Sequence, residues 1–134
     1  MICIFCGHET KVNNSRSKIN SSSTWRRREC LNCEGVFTTK EKPDLTVAIK
    51  VIESSGKFKA FSEDKLFISV YECLSHKENS LKASKSLIDT VLEKILPIKG
   101  NKIKASTLAE ETYRVLRRYD KATALIYKAR HPIF

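Results

Sequence analysis

The pattern of apolar and polar residues changes about one third of the way along this chain. Residues 1–43 contain runs of serine and asparagine and little helical periodicity, whereas residues 46–134 alternate strand-like and helix-like patterns. Pro43 and Asp44 mark the joint, since both residue types favour turns over regular structure. The sequence therefore predicts an α+β protein with a small β domain at 1–43 and a mostly helical domain at 44–134.

The second region begins with a pattern typical of a β-hairpin. Residues 46–53 are rich in β-branched side chains, which favour strands. Residues 54–56 are two serines and a glycine, a composition typical of a turn. Residues 57–61 then alternate in the way that a returning strand does.

Helical spacing of apolar residues follows the hairpin. Ser62 is a residue type that favours the N-cap, and the next apolar residues, over 66–74, recur at helical intervals. A second helix is predicted from about Ser84, with Pro97 and Gly100 at its end.

Two more helices are predicted in the last third of the chain. Thr107 with Glu110 three residues later forms a capping-box pattern, which places the start of the third helix at Thr107. Asp120 is the expected start of the last helix, and Pro132 its end. The predicted layout is thus a β-hairpin followed by about four helices.

The net charge of the chain indicates which class of partner it binds. The 134 residues carry a formal net charge of +10, with 41% hydrophobic and 30% charged residues. This balance favours a polyanionic partner, with nucleic acid first and an anionic membrane surface second. No apolar stretch is long enough for a transmembrane span and the N-terminus lacks the pattern of a signal peptide, so we expect a cytoplasmic, nucleoid-associated protein.

Two C-x-x-C pairs carry the strongest chemical signal. Cys3 with Cys6 and Cys30 with Cys33 present four sulfurs that can surround one tetrahedral ion. In a reducing compartment such pairs favour a metal over disulfides, and zinc suits four thiolates better than an iron–sulfur cluster at this spacing. Because protein fills all four positions, the predicted zinc is structural.

Two glycines support this prediction, and a fifth cysteine lies outside the cluster. Gly7 and Gly35 follow the two cysteine pairs, at places where tight turns are needed. Cys73 lies among the apolar positions of a predicted helix, and we expect it to be a buried, inert thiol.

Basic residues concentrate between the two cysteine pairs: they are Lys11, Arg16, Lys18, Arg26, Arg27 and Arg28. Arginines held on a rigid scaffold can pair with phosphates or with guanine edges. In a strand, Arg26 and Arg28 share one face and Arg27 takes the other. Trp25 either packs across the small domain, with Phe37 as its partner, or stacks on a base or sugar.

At these residues the chain resembles the NrdR family, the bacterial repressors of ribonucleotide reductase genes. The matching segments are CIFCGHETKVNNSR (3–16), RRRECLNCEGVFTTKE (26–41) and FSEDKL (61–66). The resemblance implies a zinc ribbon followed by an ATP-cone domain, and it spans nearly the whole chain.

The resemblance also implies a function for each part. The ribbon would bind double-stranded operator DNA, with Arg16, Arg26, Arg27 and Arg28 at the family's basic positions. Lys11, which lies among the same basic residues, is a further candidate contact. The cone would sense ATP against dATP and change a homo-oligomer, and the candidate nucleotide-binding residues are Lys50, Val51, Lys57 and Lys65.

This chain departs from the family pattern at several positions. Trp25 and Val36 stand where the family has arginines, and Glu53 stands where it has a lysine. Glu53 places negative charge where a phosphate would sit, and Lys59 is among the lysines that would compensate in part. These departures suggest a relative with a changed role, carried on a mobile element or phage, whose cone serves assembly more than sensing.

Two other classes of function differ from a repressor. One is a protein–protein adaptor, in which the ribbon docks on RNA polymerase or a phage protein without nucleotide sensing. An enzyme is not expected, because four sulfurs close the metal site and His8, His76 and His131 lie in separate segments.

Overall fold

The structure, a computed structural model, describes residues 1–17 and 22–131, and it describes no side chain at residues 98 and 99. The chain divides into two compact units, Met1–Asp44 and Leu45–Phe134. The strands of the first unit are β1 (Thr10–Ser17), β2 (Thr24–Cys30) and β3 (Val36–Glu41). The elements of the second unit are α1 (Leu45–Ala48), β4 (Lys50–Ile52), β5 (Phe58–Ala60), α2 (Glu63–Cys73), α3 (Ser80–Lys99), β6 (Lys102–Lys104), α4 (Ala105–Tyr119) and α5 (Lys121–Arg130).

The first unit is an antiparallel sheet in the order β1–β2–β3. The register pairs Trp25 with Arg16 on one side and with Lys40 on the other. A bulge between Val12 and Asn14 shifts the β1–β2 register. The two cysteine pairs lie at one end of this sheet, where Cys30 is the last residue of β2, as the sequence predicts for a ribbon.

The sheet of the second unit has a strand that the sequence pattern did not predict. Its order is β5–β4–β6, with β5 antiparallel and β6 parallel to the central β4. The β4–β5 pair confirms the predicted hairpin. The third strand is only three residues long, between Lys102 and Lys104, so its alternation is too short to detect without its partner.

The start of the predicted first strand is helical. The Ile49 N–H donates to the Leu45 carbonyl at 3.0 Å, which closes the turn of α1. Ile49 is 4% exposed and Leu45 packs against the same core. A helical turn holds residues four apart as neighbours, whereas a strand would separate them by about 13 Å. The strand predicted over 46–53 is therefore wrong for the residues of α1 and right for β4.

Helix α2 confirms its predicted cap. The Ser62 hydroxyl accepts a hydrogen bond from the Lys65 N–H at 3.2 Å. Glu63 and Asp64 occupy the first turn, where carboxylates interact favourably with the positive end of the helix.

Helix α3 begins earlier than predicted and ends at the predicted glycine. It starts at Ser80, and Ser84 lies fully buried inside it with its hydroxyl donating to the Ser80 carbonyl at 2.6 Å. Pro97 is within the helix and not at its end. Pro97 is exposed, and like any proline it donates no hydrogen bond to the preceding turn. Gly100 ends the helix with a positive φ of 63°, as expected of a C-terminal glycine.

The predicted capping box at Thr107 is absent. Helix α4 begins at Ala105, directly after β6, with Lys104 at the N-cap and no side-chain cap bond. The β4–β6 pairing thus sets the start of α4, and Thr107 lies in its first turn. The prediction for α5 is confirmed, because the Asp120 carboxylate accepts from the Thr123 N–H at 3.0 Å. The predicted end at Pro132 lies outside the described residues.

The core of the second unit lies between the helices and the small sheet. Its fully buried members include Val70, Cys73, Leu74 and Leu116. None of the helices among the described residues is long and apolar enough to cross a membrane. A β-strand ribbon with four cysteines, followed by a mostly helical unit with a small sheet, confirms the predicted α+β class.

Candidate metal centre and nucleic-acid interface

The four cysteines of the first unit converge on one point. The sulfurs of Cys3, Cys6, Cys30 and Cys33 all lie within 4.8 Å of one another. The Cys3–Cys33 and Cys6–Cys30 sulfur distances are 3.7 Å and 3.4 Å. A tetrahedral ion with zinc–sulfur bonds of about 2.3 Å requires sulfurs about 3.8 Å apart. The set therefore fits a zinc ion, and it is positioned to bind a metal as the sequence predicts.

Backbone N–H groups point at these sulfurs. Phe5 N–H donates to Cys3 Sγ at 3.3 Å, and the N–H groups of Asn32 and Cys33 donate to Cys30 Sγ at 3.3 and 3.4 Å. Such donors orient ligand sulfurs and favour their thiolate form. The loops are thus shaped to hold thiolates.

The thiol pKa values diverge as expected for sulfurs that share one site. The backbone N–H of His8 is the main cause that lowers the pKa of Cys6 to about 5. At Cys33 the backbone N–H of Gly35 acts in the lowering direction, but desolvation and the three neighbouring sulfurs raise the pKa to about 12. Four negative charges at this distance require a cation, since like charges so close oppose further ionisation.

The glycines of the two loops play different roles. Gly7 has φ 77°, so the first loop uses the left-handed conformation that glycine favours. In the second loop that conformation falls on Glu34, with φ 60°, and not on Gly35. Gly35 instead permits close approach, because a Cβ there would lie 2.6 Å from Cδ2 of Phe5. The prediction that a glycine is needed at position 35 for a tight turn is therefore wrong, because the space beside Phe5 is what requires it.

The sheet register separates the predicted DNA-binding residues onto two faces, because direct cross-strand partners share a face. One, here called the Trp25 face, carries Lys11, Asn14, Arg16, Trp25, Arg27, Glu29, Val36, Thr38 and Lys40. The other, the Arg28 face, carries Val12, Ser15, Arg26, Arg28, Phe37 and Thr39. Arg26 and Arg28 thus lie opposite Arg27, as the sequence predicts; Lys18 lies outside the described residues.

Cations on the Arg28 face are engaged within the sheet. The Arg26 guanidinium pairs with Glu41 at 2.9 Å, and Arg28 Nε donates to the Thr39 hydroxyl at 3.3 Å. Both arginines are half-buried, whereas Arg27 on the other face is exposed.

At one end of the Trp25 face a carboxylate is neutralised. Glu29 accepts from the Asn13 amide at 2.6 Å and lies 3.6 Å from Lys11 Nζ. The Asn13 hydrogen bond is the largest cause that lowers the pKa of Glu29, followed by the charges of Lys11 and Arg27. Lys11 is therefore half of an ion pair.

Trp25 does not pack on Phe37, because the two side chains lie on opposite faces of the sheet. Phe37 instead meets Phe5. Trp25 lines a cleft of about 430 Å³ with Arg16, Ser17, Ser23 and Lys40. Lys40 was not among the predicted contact residues; the strand alternation is visible in the sequence, but the register that places Lys40 beside Trp25 is not.

Two of the four predicted nucleotide-binding residues line a cavity in the second unit, and two do not. Val51 and Lys65 line a cavity of about 310 Å³ that also includes Glu53, Lys59 and His131. Lys50 and Lys57 are exposed and are not among the described residues that line this cavity. Lys50 is next to Val51 in β4, so it faces the opposite side of the sheet.

Glu53 is neutralised by a neighbour that the sequence could only suggest. Its carboxylate lies 2.6 Å from Lys59 Nζ, across the β4–β5 hairpin. The pair leaves Lys65 as a cation of the cavity with no ion pair among the described residues.

Cys73 is fully buried in the second unit, with its thiol donating to the Ser69 carbonyl at 3.1 Å. Burial is the main cause that raises its pKa, so the thiol stays protonated. The expectation of a buried cysteine is confirmed.

Comparison with known proteins agrees with this geometry. Residues 1–41 match the family model described as the N-terminal domain of NrdR-like transcriptional repressors. The transcriptional repressor NrdR of Petrotoga mobilis is 30% identical over 133 residues, which cover 96% of this chain and 88% of the relative. NrdR of Phenylobacterium zucineum is 31% identical, with 95% of this chain and 82% of the relative covered.

A third relative, NrdR of Chlamydia trachomatis serovar L2, is 31% identical over 121 residues, which cover 90% of this chain and 77% of the relative. The matches include both units. Together with the four converging sulfurs and the ribbon sheet, they show that this chain belongs to the NrdR family of transcriptional repressors.

Proposed function

We propose that this chain is a non-enzymatic repressor that binds double-stranded DNA through its first unit, with zinc as a structural ion. The observation that carries the proposal is the sheet register, which displays Arg16 and Arg27 on one face of a ribbon and Arg26 and Arg28 on the other. Cations on a rigid sheet can meet phosphates without losing much conformational freedom.

The metal would act by holding the ribbon. Four cysteine ligands leave no open coordination position, so the ion would supply folding energy and not chemistry. Cys3 and Cys30 are buried, whereas the rest of this small unit is mostly exposed. The unit has little apolar core of its own, which supports a metal-dependent fold.

The second unit would serve oligomerisation and the sensing of ATP against dATP. The cavity with Val51 and Lys65 supports a nucleotide site, with Lys65 as the phosphate partner. An oligomer presents several ribbons at once, which raises the affinity for DNA without new contacts.

Selection from a random duplex pool, followed by gel shift of the selected sequence, tests DNA binding. We expect zinc-loaded wild-type protein to retard the duplex and Cys30→Ser to lose both zinc and retardation. Cys73→Ala is the matched control, since Cys73 lies outside the sulfur cluster, and it should bind as wild type does. Retardation by zinc-free protein, or no duplex selected by zinc-loaded protein, contradicts the proposal.

A second candidate function is an adaptor that docks on RNA polymerase or a phage protein. The observation in its favour is the exposure of apolar side chains around the metal loops, where Ile4, Phe5 and Leu31 are 67%, 63% and 63% exposed. Ile4→Ser with Leu31→Ser should abolish polymerase binding in a pull-down and keep zinc. Unchanged polymerase binding by this variant, or none by wild type, contradicts the adaptor.

A further inference from the structure

Trp25 lies between two cations on the central strand of the ribbon sheet, at the second residue of β2. Its direct cross-strand partners are Arg16 in β1 and Lys40 in β3, so the three side chains form one row across the sheet. Arg27, two residues along β2, adds a third cation to the same face. Direct partners in an antiparallel sheet have Cβ atoms about 5 Å apart, so an aromatic ring and two charges share one small surface.

The cations of this row are not engaged elsewhere. Within residues 1–17 and 22–131, the side chains of Arg16 and Lys40 form no hydrogen bond or ion pair. Arg26 on the opposite face, by contrast, is held by Glu41. Charges without an internal partner keep their full attraction for an external anion.

The cleft beside Trp25 suits a ligand that has a planar ring and carries negative charge. Its volume of about 430 Å³ lies within the range of small-molecule sites, and its described lining contains no acidic residue. Glu29, the carboxylate on this face, is two cross-strand rows beyond Trp25 and is neutralised by Lys11 and Asn13.

An aromatic ring flanked by cations is the arrangement that binds single-stranded nucleic acid. The base stacks on the ring and the cations pair with the phosphates on either side. In a duplex the faces of the bases are covered by their neighbours, so a side chain reaches only base edges, sugars and phosphates. Only an unpaired base can therefore stack its face on the exposed face of an indole.

We propose that the Arg16–Trp25–Lys40 row is a binding site for an unpaired nucleotide of single-stranded DNA. The base stacks on the Trp25 indole, and Arg16 and Lys40 pair with the flanking phosphates. The site extends the proposed DNA binding of the ribbon, on which it rests, from the duplex to an opened strand.

The chain contains a single tryptophan, so its fluorescence reports on this site alone. Zinc-loaded full-length protein is titrated with the oligonucleotide dT10 under selective tryptophan excitation. We expect stacking to quench the emission, and we expect added salt to reverse the quenching because phosphate contacts release counterions. An emission that does not change while labelled dT10 binds overturns the proposal.

Variants separate stacking from charge. Trp25→Leu, which keeps an apolar side chain, should weaken dT10 binding about 5- to 100-fold, and Trp25→Phe should restore part of the loss. Arg16→Ala with Lys40→Ala should weaken binding and reduce the salt dependence. Lys82→Ala with Lys85→Ala removes the same charge from the exposed side of α3 and should leave binding unchanged. Zinc content is measured for each variant as a test of folding.

The duplex gel shift on the same preparations distinguishes the two proposals. Duplex binding that fails while dT10 still quenches Trp25 contradicts the proposed function and keeps the single-strand site. Equal quenching by a duplex and by dT10, or unchanged dT10 affinity in zinc-loaded Trp25→Leu, overturns the site for an unpaired nucleotide.

Discussion

Phe5 and Phe37 meet edge to face in the ribbon, with ring centroids 6.2 Å apart and an interplanar angle of 84°. Phe5 belongs to the first cysteine loop and Phe37 to β3, so the contact joins the metal site to the sheet. Gly35 lies against the same ring, because no side chain separates its Cα from Phe5. This aromatic pair is an apolar support that the ribbon has in addition to its metal.

The close approach of Gly35 to Phe5 gives a first prediction. Gly35→Ala should destabilise the ribbon by about 1 kcal/mol, since the new methyl group forces the exposed Phe5 ring away from Phe37. Chelator competition measures the effect as weaker zinc affinity. The same substitution made in a Phe5→Ala background should cost less, as a double-mutant cycle shows. Equal costs in the two backgrounds would mean that Phe5 is not the obstacle.

Removal of the metal should unfold one unit and spare the other. A chelator is expected to shift the Trp25 emission towards that of a solvated indole, because the ribbon loses its four-cysteine centre. The ellipticity at 222 nm should change little, since the described helices all lie in the second unit. Loss of helical signal in step with the Trp25 change would contradict independent units.

Asp120 predicts how the second unit responds to acid. Its carboxylate accepts hydrogen bonds from the Thr123 hydroxyl and N–H, which lower its pKa from 3.8 to about 2. A folded-state pKa below the unfolded value means that the stabilisation is complete above about pH 5 and is lost as the pH falls towards 2.

Asp120→Asn supplies the comparison, because asparagine also caps helices and does not titrate. The melting temperature of wild type relative to this variant, followed at 222 nm, should fall by a few degrees between pH 5 and pH 2. A difference that stays constant over this range would show that Asp120 does not provide the acid-sensitive cap.

The Glu53–Lys59 pair leads to a prediction about nucleotide sensing. Glu53→Gln should strengthen ATP and dATP binding about tenfold, since it removes a carboxylate from the cavity and frees Lys59 for phosphate. Lys65→Ala should weaken binding by a similar factor. Calorimetry with both nucleotides measures the affinities, and Lys82→Ala is the control on an exposed helix face. No heat from wild type or from Glu53→Gln would exclude a nucleotide site in this cavity.

Much of the second unit followed from local chemistry. Ser62 and Asp120 were predictable as caps because an N-cap bond joins residues three apart in sequence. Local patterns did not predict three other features, which are the turn at α1, the strand β6 and the start of α4. Each depends on packing or pairing with residues far along the chain, and tertiary contacts override short propensity signals.

The sequence by itself determined the metal centre, because ligand type and spacing fix which sulfurs can meet. It also determined the alternation of Arg26, Arg27 and Arg28, because side chains alternate in any strand. Only the tertiary structure decided which cations are engaged and which remain available, since that depends on the register with β1 and β3. The register brings Arg26 within reach of Glu41, with which it forms an ion pair. It also places Phe37 on the face opposite Trp25, and Trp25 between Arg16 and Lys40. Cross-strand partners are distant in sequence, so no local pattern encodes them.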